Sequence, residues 1–198
     1  MIIGITGGTG CGKTTALQAI RELGGVIIDC DKVYHELLQT DGELLRAIDT
    51  RFPGTVKCGV LDRKALAPIV FSNEQALQDL NAITHSAVKK EVLRRLDGHP
   101  TLAAIDAIEL FDGGLGALCD VTVAVTAPEE LRIRRLQERD GLSREQAAMR
   151  IGAQKPERYF QEHCTYLLQN DGNLEDFREK CLVFFKNLTI IEEKPVKE

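Results

Sequence analysis

Several hallmarks of common protein classes are missing from this sequence. No apolar run approaches the length that a bilayer-spanning helix needs, so a membrane protein is not expected. The six cysteines are scattered without a C-x-x-C pair, which argues against a zinc site. The formal net charge of −5 makes nucleic acid a poor partner overall. No repeat and no low-complexity segment interrupts the chain, and no obligate protein partner is evident.

The N-terminus also lacks the features of a removable signal peptide. Its first apolar run, Met1 to Thr6, leads directly into a glycine-rich loop and reads as a core strand. In a chain without a leader segment, scattered cysteines favour free thiols over disulfides. We therefore expect a protein of the reducing cytoplasm.

What the sequence does contain is enough apolar material for one core. It has 198 residues, of which 43% are hydrophobic and 28% are charged. These values are typical of a single globular domain with room for a small insertion.

The most informative stretch is Gly7-Gly8-Thr9-Gly10-Cys11-Gly12-Lys13-Thr14. It has the spacing G-x-x-x-x-G-K-T of a phosphate-binding loop and lies between an apolar run and a helical pattern. The glycines let backbone N–H groups converge on one point, and the following helix directs its positive end there. A glycine-rich turn that binds nothing is the plain alternative, but motif and context agree. The predicted nucleotide-binding residues are Gly8, Thr9, Gly10, Cys11, Gly12, Lys13, Thr14 and Thr15.

Two side chains of this loop have a predicted chemical role. Lys13 can reach the β- and γ-phosphates, which makes it a candidate catalytic residue, and the Thr14 hydroxyl can bind Mg²⁺. The sequence therefore predicts a protein that binds a nucleoside triphosphate, with Mg²⁺ as its cofactor.

Carboxylates follow the second apolar run. Val26 to Ile28 reads as a buried parallel strand that Asp29-Cys30-Asp31 closes, and a helix is predicted from Lys32. Ligands of open α/β sheets bind at the carboxyl ends of strands, so Asp29 and Asp31 are candidate site residues. A plain helix N-cap is the alternative interpretation of Asp31.

Residues 40 to 100 show no strand signal. Short helices are predicted over Gly42 to Thr50 and after an Asp62 N-cap, and a long helix over Asn73 to Leu96. We interpret this block as a helical insertion that holds the second substrate. His85 lies within it, either as an acceptor contact or as a helix-surface histidine.

Three further apolar runs complete the predicted sheet. Thr101 to Asp106 has the pattern of a Walker B strand, whose Asp106 is a candidate for metal or acceptor binding or else a turn residue. Val121 to Thr126 is a clear strand, and the weaker Leu188 to Ile191 supplies a fifth. The predicted fold is therefore a five-stranded parallel α/β sheet flanked by helices.

Arginines are concentrated between Pro128 and Arg158. That segment has eight basic and six acidic residues, and Arg135 and Arg139 lie one turn apart on one helix face. An Ser143-x-x-Gln146 capping box starts a further helix. A solvated surface is the plain reading, but an arginine-rich helical pair suits a lid that closes on phosphates.

Taken in order, these motifs resemble those of the dephospho-CoA kinase family, over residues 3 to about 177. The resemblance rests on Gly4 to Thr14, on Asp29-Cys30-Asp31 as a D-x-D motif, and on Leu61-Asp62-Arg63 with Val70-Phe71. It continues with Arg135-Leu136 and Arg139-Asp140 as R-L-x-x-R-D, with Arg150 and Gln154 as R-x-x-x-Q, and with Asn170-Asp171-Gly172 as N-x-G. Departures occur at Ser86, where the family has proline, along Asp106 to Asp112, and at Cys164-Thr165.

The resemblance implies transfer of the ATP γ-phosphoryl group to the ribose 3′-hydroxyl of dephospho-CoA. It implies a P-loop nucleotide-kinase-like domain spanning 1–198, with its core at 1–39, 100–137 and 165–198. A CoA-binding insertion at about 40–99 and a lid at about 138–164 would complete it. Implied site residues are Asp31, Lys13 and Arg139 for catalysis, Arg135 and Asn170 for the nucleotide, Asp31, Arg63, His85 and Asp106 for the acceptor, and Thr14 and Asp29 for the metal.

Two other functions compete with this one. A kinase of the same build could act on another acceptor, such as a nucleoside monophosphate. A regulatory GTPase-type switch should carry a base-reading N-K-x-D tetrapeptide, and the sequence has none.

Overall fold

The computed structural model describes residues 1–98 and 100–192, with no side-chain description for residues 191 and 192. Its strands are β1 (Ile2–Thr6), β2 (Val26–Asp29), β3 (Val56–Lys57), β4 (Val60–Leu61), β5 (Ala103–Asp106), β6 (Val121–Thr126) and β7 (Tyr166–Gln169). Its helices are α1 (Lys13–Glu22), α2 (Cys30–Thr40), α3 (Gly42–Arg51), α4 (Arg63–Phe71), α5 (Glu74–Leu96), α6 (Glu129–Asp140), α7 (Arg144–Gly152), α8 (Glu157–His163) and α9 (Leu174–Glu192). A short 3₁₀ helix covers Gly116–Leu118.

Five strands form one parallel sheet in the order β2-β5-β1-β6-β7. The phosphate-loop strand β1 is central, with Ile3 paired to Ala104 on one side and Val121 on the other. Helices cover both faces, as a parallel sheet requires to keep its apolar strands from water. The predicted five-stranded parallel α/β sheet is confirmed.

The two faces of the sheet have separate cores. Alternate residues of β1 such as Ile3 and Ile5 pack with α1 and α9, whose Phe177 and Phe185 are fully buried. On the opposite face Ile28, Ile105 and the α5 residue Val92 pack with α2. The carboxyl ends of the strands are thereby held in place by packing on both faces of the sheet.

The predicted fifth strand at Leu188 to Ile191 is wrong. The fifth strand is β7, which pairs parallel with β6, and the tail residues belong to α9. The physical reason is periodicity: Phe177, Cys181 and Phe185 recur every four residues and all three are buried, which makes the apolar tail one helical stripe.

The block between α2 and β5 is also not entirely helical. It contains the two-stranded β3–β4 hairpin, whose turn holds Cys58 at φ 51° and Gly59 at φ 76°. Two-residue strands leave too short an alternation for a pattern to be seen in the sequence. Its helices α3, α4 and α5 enclose a core of their own around Ile48 and Phe52.

Helix ends follow the predicted capping chemistry closely. Asp62 accepts a hydrogen bond from the Ala65 N–H at 3.1 Å, and Ser143 with Gln146 forms the full capping box of α7. In the part of the chain described here, no helix combines the length and apolarity needed to cross a bilayer.

Candidate active site

The phosphate loop lies between the end of β1 and the start of α1, as its motif predicts. Two of its glycines are required by geometry. Gly7 has φ 133° and a Cβ there would lie 2.2 Å from the Val125 carbonyl oxygen. Gly12 has φ 101° and a Cβ there would lie 2.3 Å from Asn170 Nδ2. Only glycine fits both the backbone conformation and the space.

The loop presents its N–H groups and one lysine to a large cavity of about 1020 Å³. Gly12 is the N-cap of α1 and offers no side chain, so the first N–H groups of the helix remain directed at the cavity. Lys13 Nζ lies over the same loop and donates to the Gly7 carbonyl at 2.9 Å. This arrangement is an anion site of the triphosphate type.

Most of the predicted nucleotide and catalytic residues line this cavity together. They are Gly8, Thr9, Gly10, Gly12, Lys13, Thr14, Thr15, Asp29, Asp31, Asp106, Arg135, Arg139 and Asn170. Cys11 is instead buried in the core, where burial raises the pKa of its thiol. Any Cys11 contact to a nucleotide would therefore use its backbone.

The acidic edge of the cavity is formed by the ends of β2 and β5. Asp29 and Asp106 are neighbours in the register of these strands. Burial raises the pKa of Asp106 to about 6, Lys13 opposes that rise, and the nearby Asp29 and Asp31 add to it. The carboxylates therefore interact electrostatically across one site.

Helix α2 begins at Cys30, two residues earlier than predicted. Asp29, not Asp31, is its N-cap, and Asp29 Oδ1 accepts the Lys32 N–H at 3.0 Å. Asp31 lies in the first helical turn and its side chain is free to face the cavity. Asp31 thus lies past the end of the strand, because the capping bond ends the strand at Asp29.

A second cavity of about 340 Å³ adjoins the first through Asp31, which lines both. It is lined by α2, α5 and the loop after β5, and includes His85. His85 Nε2 lies 3.0 Å from Glu109 Oε2, and this hydrogen bond holds the pKa of Glu109 below its ordinary value. The structure thus brings His85 and Asp31 to one cavity.

Arg63 lies apart from them. Within the described chain it lines neither of these cavities but a groove of about 180 Å³ that also includes Phe71. Tyr34 lines both this groove and the second cavity, so the two are adjacent.

Helix α6 supplies arginines to the cavity from the side opposite the carboxylates. Arg135 donates to the Gly10 carbonyl at 3.1 Å and to Asn170 Oδ1 at 3.0 Å. Asn170 Nδ2 in turn donates to the Cys11 carbonyl at 2.8 Å. Arg139 lines the cavity and is paired with Asp140 at 2.7 and 2.8 Å.

Arg132 and Gln154, which have no predicted role, both form hydrogen bonds with the phosphate loop. Arg132 Nε donates to the Thr9 carbonyl at 2.9 Å and Nη2 donates to Gln154 Oε1 at 2.9 Å. Gln154 Oε1 also accepts the Thr9 N–H at 2.8 Å. Arg132 carries no local signal, and Gln154 was visible only as the end of an R-x-x-x-Q pattern.

The segment from Gln154 to the end of α8 also contacts the loop after β5. Lys155 Nζ pairs with Asp112 at 3.2 Å and lies 4.8 Å from the centre of the Tyr159 ring. Tyr159 stacks on His163 with ring centres 4.2 Å apart, and Phe111 packs against both rings. Glu109, two residues from Phe111, was likewise missed as a partner of His85.

The donor set at the cavity fits Mg²⁺. The Thr14 hydroxyl and the carboxylates of Asp29, Asp31 and Asp106 supply oxygen only, which is what this ion prefers. In residues 1–98 and 100–192 no three His, Cys, Asp or Glu side chains are grouped closely enough to hold a metal by themselves. Mg²⁺ in kinase sites commonly takes its remaining ligands from water and substrate phosphates.

The family model described as dephospho-CoA kinase matches residues 1–176. A curated dephospho-CoA kinase of Syntrophotalea carbinolica is 33% identical over 194 residues, covering 95% of this chain and 92% of that one. One from Thermus thermophilus is 36% identical over 192 residues, covering 96% and 92%.

Solved structures agree with this match. Dephospho-CoA kinase from Campylobacter jejuni superimposes with a TM-score of 0.69 at 27% identity, covering 96% of this chain and 98% of that chain. A shikimate kinase from Acinetobacter baumannii, at 18% identity and a TM-score of 0.52 over 99% and 95% of the two chains, shares the fold alone. On these grounds the chain belongs to the dephospho-CoA kinase family and is an ATP-using phosphotransferase of coenzyme A biosynthesis.

Proposed function

We propose that ATP binds in the 1020 Å³ cavity, that dephospho-CoA enters through the 340 Å³ cavity, and that the two meet at Asp31. The observation that carries this proposal is that Asp31 lines both cavities. A phosphoryl acceptor must lie in line with the γ-phosphate, so the reacting hydroxyl belongs at the junction.

On the ATP side, the backbone N–H groups of the loop bind the phosphates and Lys13 neutralises the β- and γ-phosphates. Arg135 and Asn170 hold the outer half of the loop, since they bond to Gly10 and Cys11. Arg139 leaves Asp140 to meet the charge that develops on the transferring group, with α7 and α8 acting as a lid.

Asp31 orients the ribose 3′-hydroxyl and accepts its proton. Because the transition state of phosphoryl transfer is loose, the hydroxyl loses its proton late. The carboxylate therefore acts mainly by positioning the hydroxyl. Thr14 and Asp29 would hold Mg²⁺, which would offset the negative charge of the phosphates.

On the acceptor side, His85 and Asp106 contact the adenosine part of dephospho-CoA near the reacting hydroxyl. Arg63 lies farther out, in the groove next to Tyr34, where a cation suits the diphosphate of the acceptor. The helices α3, α4 and α5 thus serve acceptor binding and not ATP binding.

The working compartment we propose is the cytoplasm. All six cysteines fall in the described residues and are free thiols, and free thiols fit a reducing environment.

The proposal is tested by ADP release with Mg²⁺ and ATP in three parallel reactions. These contain dephospho-CoA, a nucleoside monophosphate, or neither acceptor. We expect rapid turnover only with dephospho-CoA, and the product should be identified as the 3′-phosphate by phosphorus NMR. Faster turnover with the nucleoside monophosphate would assign the same site to another acceptor, and equal release in all three reactions would indicate an ATPase.

A further inference from the structure

Both polar backbone groups of Thr9 are hydrogen-bonded, and they belong to the two successive peptide units on either side of its Cα. Its carbonyl accepts from Arg132 Nε at 2.9 Å, and its N–H donates to Gln154 Oε1 at 2.8 Å. A third bond, from Arg132 Nη2 to the same Oε1 at 2.9 Å, closes the ring. We call these three residues the Thr9 clamp.

Loop backbone is the phosphate-binding device here, so its orientation matters more than that of most loops. Each residue has two soft backbone dihedrals, φ and ψ, and a glycine-rich segment samples many values of both. Fixing the N–H and the C=O of Thr9 together removes that freedom where the first half of the loop turns. The neighbouring Gly8, Gly10 and Gly12 have no side chains that could restrict the backbone in the same way.

Arg132 also limits the space beside the loop. A Cβ on Gly8 would lie 2.4 Å from Arg132 Nη2, and one on Gly10 would lie 3.2 Å from the Arg132 Cα. Arg132 therefore packs directly against the loop, while its guanidinium donates to two acceptors.

The clamp residues differ from the other arginines of α6. Arg134, Arg135 and Arg139 line the large cavity, whereas Arg132 and Gln154, both in the described part of the chain, are not among its lining residues. Gln154 lies between α7 and α8, so the clamp joins the α7–α8 segment to the phosphate loop.

We propose that Arg132 and Gln154 are positioning residues that set the orientation of the two peptide units flanking Thr9 and thereby the affinity of the loop for ATP phosphates. Neither contacts substrate in this arrangement; both act through Thr9. The inference rests on the proposed assignment of the large cavity to ATP, but not on the identity of the acceptor.

The clamp predicts a specific pattern of effects. Arg132→Ala and Gln154→Ala should each raise the ATP dissociation constant by about tenfold, which corresponds to one or two lost hydrogen bonds of which one is to a charged group. The KM for dephospho-CoA should change less than about twofold, because the acceptor cavity does not include these residues.

The decisive experiment is a double-variant cycle on the full-length protein. ATP dissociation constants are measured by calorimetry for the wild type, both single variants and the double variant. If the two residues act together on the backbone of Thr9, the double variant should bind ATP no more than about twofold worse than the single variant with the weaker ATP binding. If the two effects multiply, so that the dissociation constant of the double variant rises nearly a hundredfold, the proposal is wrong.

Arg132→Lys separates positioning from simple attraction. Lysine keeps the positive charge but cannot bind the Thr9 carbonyl and Gln154 Oε1 at once. We expect it to bind ATP almost as poorly as Arg132→Ala, and wild-type affinity would show that only charge matters. Arg158→Ala, an exposed arginine of α8 paired with Glu162, is the control and should leave ATP binding unchanged.

Unfolding temperatures without ATP exclude a merely structural role. All variants should melt within a few degrees of the wild type, since the clamp residues are only partly buried. A large loss of unfolding temperature with unchanged ATP affinity would contradict the proposal. Because ATP binding is measured without any acceptor, a wrong acceptor assignment would leave these results untouched.

Discussion

The two sides of the active site are built in different ways. On the proposed ATP side, the backbone of eight consecutive loop residues is the phosphate-binding device, whereas the proposed acceptor cavity takes side chains from α2, α5 and the loop after β5. A backbone site needs glycine at fixed places and so leaves a contiguous motif. A side-chain site is assembled by packing of distant segments and leaves only scattered residues. Variants can test how independent the two sides are.

The largest effect is expected at Lys13. Lys13→Ala should lower kcat by at least about 10³-fold, because in the proposed site this cation neutralises the transferring phosphate and charge-stabilising groups of this kind contribute that much. ADP release measures the loss, and circular dichroism checks the fold. Lys90→Ala, an exposed lysine of α5, serves as the control. Normal turnover by folded Lys13→Ala would contradict the phosphate-loop assignment.

Asp31 lies where the two sides meet. Asp31→Asn should lower kcat by roughly 10²–10⁴, the usual share of general-base catalysis, with both KM values nearly unchanged. Asp29→Asn is the matched variant and should shift the Mg²⁺ requirement instead, since asparagine can still cap α2. An inactive Asp29→Asn beside a normal Asp31→Asn would exchange the two roles.

Arg139 tests whether α6 acts in the transition state. Arg139→Ala should lower kcat by about 10²-fold while ATP affinity changes far less, because its charge meets the phosphoryl group only as that group moves. Stopped-flow and ATP binding measurements separate the two quantities. Arg144→Ala, an exposed arginine paired with Glu130, is the control. Lost ATP binding with normal kcat would reverse the interpretation.

Arg63 sharpens the comparison from the acceptor side. Arg63→Ala should raise the KM for dephospho-CoA by about tenfold, the range of one lost charged hydrogen bond, and leave the KM for ATP nearly unchanged. Steady-state kinetics with each substrate varied gives both values. Lys64→Ala on the same helix is the control. Equal effects on both substrates would mean that the α3, α4 and α5 block shapes the whole cleft.

The smallest effect is expected at Asp106, and it concerns the free energy of unfolding. Its pKa of about 6 lies above the ordinary 3.8, so between about pH 4 and 6 the folded state binds more protons than the unfolded state. The free energy of unfolding therefore falls as pH rises through that window. Asp106→Asn should be more stable than the wild type above pH 6, by about 1–3 kcal/mol, with the difference vanishing below pH 4.

Thermal unfolding from pH 4 to 8 measures this effect, with the exposed Asp97→Asn as control. A constant difference between Asp106→Asn and wild type across the whole range would show that burial of the carboxylate is not the cause.

How far the sequence predicts the fold depends on how local each signal is. Four apolar runs contain β-branched residues and end at a polar one, namely at Thr6, Asp29, Asp106 and Thr126. All four are strands of the sheet. Tyr166–Gln169 also has three apolar residues before a polar one, but it contains no β-branched residue and so lacks the strand signal of Val26 to Ile28. The Leu188 to Ile191 run is apolar for a different reason, the buried stripe of α9.

The site divides in the same manner. The spacing of the residues from Gly7 to Thr14 indicates their function, since each residue contributes through the local backbone. Arg132, Gln154 and Glu109 act on partners 24 to 145 residues away, so nothing near them in the sequence indicates the contact. Asp29 and Asp31 were found as a pair, but the structure distinguishes them, because Asp29 caps α2 through the Lys32 N–H and Asp31 also lines the second cavity.

Tyr159, which stacks on His163, is a suitable position for a fluorescence probe in this enzyme. The chain has no tryptophan and only three tyrosines. Tyr34 lines the acceptor cavity, Tyr159 lies at the contact of α8 with Asp112 and Phe111, and Tyr166 lies on the edge strand. A single tryptophan introduced as Tyr159→Trp would be the sole emitter at long wavelength. Its spectrum would report, in real time and without a label, whether the α8 contact opens when each substrate arrives.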